Sequence, residues 1–231
     1  MTDPNATSTA ADANADRAFD AVLFDFGGVF TQSPFEHLMK SAESMGVDMS
    51  TLMSVVFGPY SMDTDHPWHR LERGELTLED AVAQIKDLGA DSGIVSDPWE
   101  ILLGMAGGGT RDYMIDVLRI VRERGLGTAI VTNNLKEFAD QWTKMIPMEF
   151  IDVVSDSSVM GVRKPNPAIY EATLQALGVA AERAIFIDDA PGNVEAAAAL
   201  GIHSILIPHD DDGARAAANE ILSLTAPAEH A

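Results

Sequence analysis

Cysteine is absent from the 231 residues, which excludes a disulfide framework, a thiolate zinc site and a cysteine nucleophile together. Positive charge is scarce: 15 Lys+Arg stand against 36 Asp+Glu, a formal net charge of −21. Such a surface repels polyanions, so nucleic acid is not expected as a partner. No apolar run approaches the roughly 20 residues that would span a bilayer, and no membrane partner is expected. Aromatics are few, at 6%, but 46% of residues are hydrophobic, enough for a proper core.

Residues 1–18 lack hydrophobic periodicity and read as a disordered tail, and they show no apolar segment behind basic residues as a secretory signal would. With no signal and no cysteine, a cytoplasmic location is expected. Five short apolar runs of strand length follow, at 21–24, 128–131, 151–154, 184–187 and 204–207. Four are continuous in hydrophobicity rather than alternating, as in strands covered on both faces. Helical patterns separate the last four. One is read from Glu137 to Met145, one from Pro167 to a stop at Gly178, and one from Asn193 to Leu200. A stripe of Tyr113, Met114, Val117, Leu118 and Val121 predicts a helix before the second strand, and an alanine-rich helix should run to about Leu224. Strand–helix alternation of this kind predicts an α/β fold, a doubly wound, Rossmann-like parallel sheet with right-handed crossovers.

The interval 31–109 is too long for a crossover and reads as an inserted all-helical cap, with helices expected near 35–45, 52–57 and 78–88. The core would then comprise residues 19–30 and 110–225, with Gly107-Gly108-Gly109 as a return hinge. Trp68 and Trp99 are expected to pack the cap, and its methionines to fill core space.

Ligands of open parallel sheets bind beyond the carboxyl ends of the strands. There the sequence places Asp25, Thr132-Asn133-Asn134, Ser155-Asp156, Arg163-Lys164-Pro165 and Asp188-Asp189. Carboxylates gathered on one rim repel one another unless a cation sits among them, and all-oxygen donors suit Mg²⁺. A bound divalent ion and Lys164 would together attract phosphate.

In this order and setting, the segments DFGGV, Thr132 after a hydrophobic strand, RKPNPAIY and FIDDAPGNVEAAAALG resemble the haloacid dehalogenase superfamily. Within it, the opening segment, the cap and LERGELTLED are most similar to the phosphatases related to the N-terminal domain of epoxide hydrolase. The resemblance implies a Mg²⁺-dependent phosphatase of a small phosphorylated metabolite. Asp25 would form an aspartyl-phosphate, with Thr132 and Lys164 assisting. Phosphate would be held by Phe26, Gly27, Thr132, Asn133 and Lys164, and the metal by Asp25, the Gly27 carbonyl, Asp189 and Asp188. Most phosphatases of that superfamily carry a general-acid aspartate where this chain has Gly27. The glycine implies either a preference for good leaving groups or a proton donor from the cap, with His66 and His69 as the candidates. The alternatives are a metal-free 2-haloacid dehalogenase using Asp25, which would want an arginine that residues 31–40 lack, and a non-catalytic phospholigand-binding protein. The cap carries no readable substrate code, and no residue pattern marks an oligomeric state.

Overall fold

Five strands pair in the order β3-β2-β1-β4-β5, all parallel, in a computed structural model that describes residues 17–33, 35–92, 101 and 109–227. They are β1 (Ala21–Phe24), β2 (Gly127–Thr132), β3 (Val153–Asp156), β4 (Ala184–Asp188) and β5 (His203–Leu206). Every residue of β1 is fully buried, and its side chains divide by parity between two cores. Val22 and Phe24 meet Ile130, Ile187 and the helices Asp112–Glu123 and Asp211–Leu224 on one face. Ala21 and Leu23 meet Val131, Phe186 and the helices Pro167–Leu177 and Pro191–Ala199 on the other. This two-sided burial explains why the runs read as continuous rather than alternating.

Three expected elements shift. The third strand begins at Val153, because Met148–Phe150 forms a 3-10 turn and Asp152 turns aside to accept the Thr128 N–H at 3.0 Å and to pair with Arg122 at 2.8 Å. The helix expected over 137–145 is reduced to a 3-10 turn at Lys136–Phe138 and the single turn Ala139–Trp142. The helix expected from Asn193 starts earlier, at Pro191, whose missing N–H costs nothing in a first turn. Pro167–Leu177 ends as expected at Gly178, which takes φ 69°. Arg17, at the end of the segment read as a tail, is tied down: its guanidinium donates to the Arg124 carbonyl at 2.6 Å, and its own carbonyl accepts from Arg183 at 2.5 Å.

The helical insertion leaves and rejoins the sheet through one antiparallel bridge, Thr31 to Thr110, with the Gln32 N–H donating to the Gly109 carbonyl at 3.0 Å. Gly107, Gly108 and Trp99 lie outside the described residues. The insertion contains α1 (Phe35–Met45), α2 (Met49–Val56), α3 (Pro67–Glu72) and α4 (Leu78–Asp91). Asp48 and Thr77 cap α2 and α4 by accepting from the Thr51 and Asp80 amides. These helices share a third core around Leu52, Phe57, Trp68, Leu71 and Ile85, which also takes in Leu135. The short α3, not anticipated from the periodicity, is held by Pro67 at its first turn and by His66, whose ring accepts the Trp68 N–H at 3.2 Å. No helix among the described residues is long and apolar enough to cross a membrane.

His69 in α3 is fully buried, and its Nδ1 accepts the Thr64 N–H at 3.0 Å. Burial, and the nearby positive groups Arg163 and Arg73 with the His66 ring, push its pKa from 6.5 down to about 3. The unfolded chain therefore takes up a proton first. The contribution of His69 is complete above pH 6.5 and drains away as the pH falls toward 3. Denaturant melts should show wild type losing about 2 kcal/mol from this residue between pH 7 and pH 5, with His69→Asn flattening the slope by close to one proton. Parallel slopes for the two proteins would refute it.

Candidate active site

The ladder of the parallel sheet carries straight into the site. The Asp25 N–H donates to the Ile187 carbonyl at 2.8 Å, so the side chain after β1 emerges level with the end of β4. Thr132 closes β2 on the same edge, and Asp188 closes β4. Lys164 arrives from the loop ahead of Pro167–Leu177 and reaches both acids, 2.7 Å from Asp25 Oδ1 and 2.6 Å from Asp188 Oδ2. Asn133 fixes that loop: its Oδ1 accepts the Lys164 N–H at 2.8 Å and its Nδ2 donates to the Lys164 carbonyl at 3.0 Å.

Asp25, Asp188 and Asp189 bring carboxylate oxygens within 4.8 Å of one another, and all three residues are buried. Desolvation, opposed by Lys164 and reinforced by the other two acids, pushes Asp25 up to about 8. Burial likewise raises Asp188. Lys164 also rises: its own burial opposes this, but attraction to Asp188 and Asp25 prevails. One ammonium thus faces three carboxylates, and the set is short of positive charge. A hard divalent cation fits that deficit and the all-oxygen donor set.

The two adjacent acids are held differently. Asp188 is fully buried and accepts from the Ala190 N–H at 2.7 Å and from Asn193 Nδ2 at 3.0 Å besides Lys164. Asp189 accepts from the Ser33 hydroxyl at 3.0 Å, and the same hydroxyl lies 3.0 Å from His209 Nδ1. Gly28, at φ 71°, is packed so tightly that a Cβ there would fall 2.0 Å from Asp189 Oδ2. At Gly27 a Cβ would meet nothing within 4 Å. The Phe26 ring stacks on Phe30 and packs tilted against Trp142, and Phe26 is not among the residues lining the cavity. Asp156 is committed elsewhere, accepting from the Ser158 N–H, the Ser158 hydroxyl and Asn134 Nδ2.

A cavity of about 160 Å³ stands over this rim. Its floor is Asp25, Gly27, Thr132, Asn133, Lys164 and Asp189, with Asn193 beside them. Its roof comes from the insertion: Leu38, Met53, Phe57, Tyr60 and Trp68, with Glu72. Glu72 and Arg163 clasp roof to floor through a buried pair at 2.6 Å, and Arg163 also donates to the Met62 carbonyl at 2.9 Å. Neither His66 nor His69 lines the cavity, because one caps α3 and the other is locked to Thr64. Ser33, His209 and Glu72 were not singled out from the sequence, Arg163 was placed on the rim without its partner, and Asn193 was read only as a helix start. Asn193 lies four residues beyond the acidic pair, the only local signal among them.

A family model described as haloacid dehalogenase-like hydrolase matches residues 19–201. Among curated relatives, acyl-CoA dehydrogenase family member 10 of Mus musculus is 29% identical over 195 residues, 83% of this chain but 18% of the mouse protein. A sesquiterpene phosphatase of Aspergillus oryzae is 27% identical over 194 residues, 80% of this chain and 87% of the fungal one. Among solved structures, a family enzyme of Bacteroides thetaiotaomicron in complex with magnesium and inorganic phosphate superposes with a TM-score of 0.57 at 19% identity, covering 84% of this chain and 96% of that one. At that identity the likeness is one of fold.

Proposed function

The chain belongs to the haloacid dehalogenase-like hydrolases, and on that premise we propose that it is a Mg²⁺-dependent phosphatase of a small phosphorylated substrate working through Asp25. The observation that carries this reading is Lys164, bonded to Asp25 at 2.7 Å and to Asp188 at 2.6 Å under a roofed cavity. A cation-binding, phosphate-attracting floor next to a buried nucleophile is the arrangement phosphoryl transfer needs, since its catalysis is chiefly positioning and charge stabilisation.

In this reading Asp25 attacks phosphorus, the ester P–O bond breaks, and an aspartyl-phosphate forms. Water then attacks phosphorus, the bond to Asp25 breaks, and inorganic phosphate leaves. The Thr132 hydroxyl and the amides of Asn133, Gly27 and Phe26 hold the phosphoryl oxygens. Lys164 offsets the charge on Asp25 and on the phosphoryl group. Asp25, the Gly27 carbonyl, Asp189 and Asp188 would hold Mg²⁺, which supplies Lewis-acid stabilisation of phosphoryl charge when bound. With glycine at position 27 no side chain there protonates the departing oxygen, which favours substrates whose leaving group departs as an anion.

The dehalogenase alternative lacks its halide acceptor, since no arginine is among the described residues lining the cavity. Metal dependence separates the two chemistries. Chelator-treated protein should lose phenyl phosphate hydrolysis, Mg²⁺ should restore it, and beryllofluoride should raise the melting temperature only when Mg²⁺ is present. Hydrolysis untouched by chelation would overturn the reading. Beryllofluoride binding without turnover would instead favour a non-catalytic phospholigand-binding protein.

A further inference from the structure

Roof and floor of the cavity differ in chemistry, and the difference bears on the body of the substrate beyond its phosphoryl group. Five roof side chains present carbon: Leu38, Met53, Phe57, Tyr60 and Trp68. The aromatic ones form one wall, with Phe57 edge-on to Trp68 at 4.9 Å and 84°, and edge-on to Tyr60 at 6.4 Å and 87°. Glu72 is the roof's only carboxylate among the described lining residues, and it is committed to Arg163 at 2.6 Å. Of these five, only Tyr60 and Trp68 carry a polar atom, and the Trp68 indole N–H is buried away from the open cavity, so the roof offers a hexose far fewer partners than it has hydroxyls. Each hydroxyl desolvated against this wall without a partner would cost about 1–3 kcal/mol. Each methylene placed there gains about 0.8 kcal/mol. The volume limits size as well: about 160 Å³ has to take the phosphoryl group and the body together, little more than the ~150 Å³ cavity that accommodates one benzene ring.

We propose that the substrate is a phosphate monoester with a compact apolar body, one ring or a short branched chain, and that hydroxylated esters such as sugar phosphates are rejected. This rests on the phosphatase reading and specifies its substrate class. The absence of a side-chain proton donor at Gly27 points the same way, toward aryl esters among apolar ones.

A matched pair of probes tests it. Cyclohexylmethyl phosphate and glucose 6-phosphate both release a primary alcohol borne on a six-membered ring, and differ chiefly in the hydroxyls and the ring oxygen. With Mg²⁺ present, wild-type protein should favour the apolar ester in kcat/KM by at least about 100-fold, the equivalent of burying three to four methylenes. Calorimetric titration of the Mg²⁺-loaded Asp25→Asn protein should show the same preference in Kd. Met53→Gln, which places an amide on the roof from a partly exposed helix, should narrow the ratio about tenfold. A ratio at or below one in both assays, or a ratio unmoved by Met53→Gln, would overturn the inference. If none of these esters nor phenyl phosphate is hydrolysed while Asp25→Asn still prefers the apolar probe, the phosphatase reading fails and the assignment of an apolar ligand stands.

Discussion

Asp25→Asn is expected to abolish turnover, by at least about 10⁴-fold in kcat/KM for phenyl phosphate, without lowering the melting temperature. A carboxamide keeps the shape of the side chain but cannot form the acyl-phosphate bond. It also takes one ionisable group out of a buried set of three acids, where burial and the other two acids push Asp25 up to about 8 against the pull of Lys164. Lys164 keeps its 2.6 Å pair with Asp188, so no cation is stranded by the change. Loss of activity together with unchanged or improved stability is therefore the signature of a lost nucleophile rather than a damaged fold. Acid-quenched wild-type protein should carry phosphate on the peptide containing Asp25, and the variant should carry none. Retention of even one-hundredth of the activity by a well-folded variant would show that Asp25 is not the group that bonds to phosphorus.

Gly27→Asp should have the opposite sign. Space for the new side chain exists, since a Cβ at this position meets nothing within 4 Å and the residue borders the cavity. General acid–base catalysis contributes roughly 10²–10⁴-fold, so alkyl phosphates, whose leaving groups most need a proton, should gain at least about tenfold in kcat. Phenyl phosphate, with a better leaving group, should gain far less. The neighbouring position is the control: Gly28→Ala sets a methyl into Asp189 at a φ of 71° and should lose both stability and activity. Equal rates for wild type and Gly27→Asp on alkyl esters would show that the glycine does not limit the reaction.

The parts of the site that the sequence made legible follow strand ends. Asp25, Thr132 and Asp188 each stand directly at the carboxyl end of an apolar run, and parallel pairing in register brings those ends together. The runs themselves were readable because burial on both faces removes polar residues from them. Asp152 shows where this fails: it sits inside the apolar run 151–154, yet its ties to Thr128 and Arg122 keep it out of the strand. His66 and His69 were the cap's candidate proton donors, but in space His66 caps α3, His69 faces Thr64, and Tyr60 and Glu72 line the cavity instead.

The chain by itself determined the strand–helix alternation, the long helical insertion after the first strand, and the acids and lysine at the strand ends, because each is written in local periodicity or directly beside it. Only the tertiary structure decided what closes over them. Glu72 and Arg163 meet across 91 positions of sequence, Ser33 and Asp189 across 156, and neither partner has a local pattern that names the other. The apolar roof was equally invisible, since Met53, Phe57 and Trp68 carry the same hydrophobic signal whether they fill the insertion's own core or face a ligand. Which of those two they do depends on where the insertion lands on the sheet, and packing between distant segments settles that.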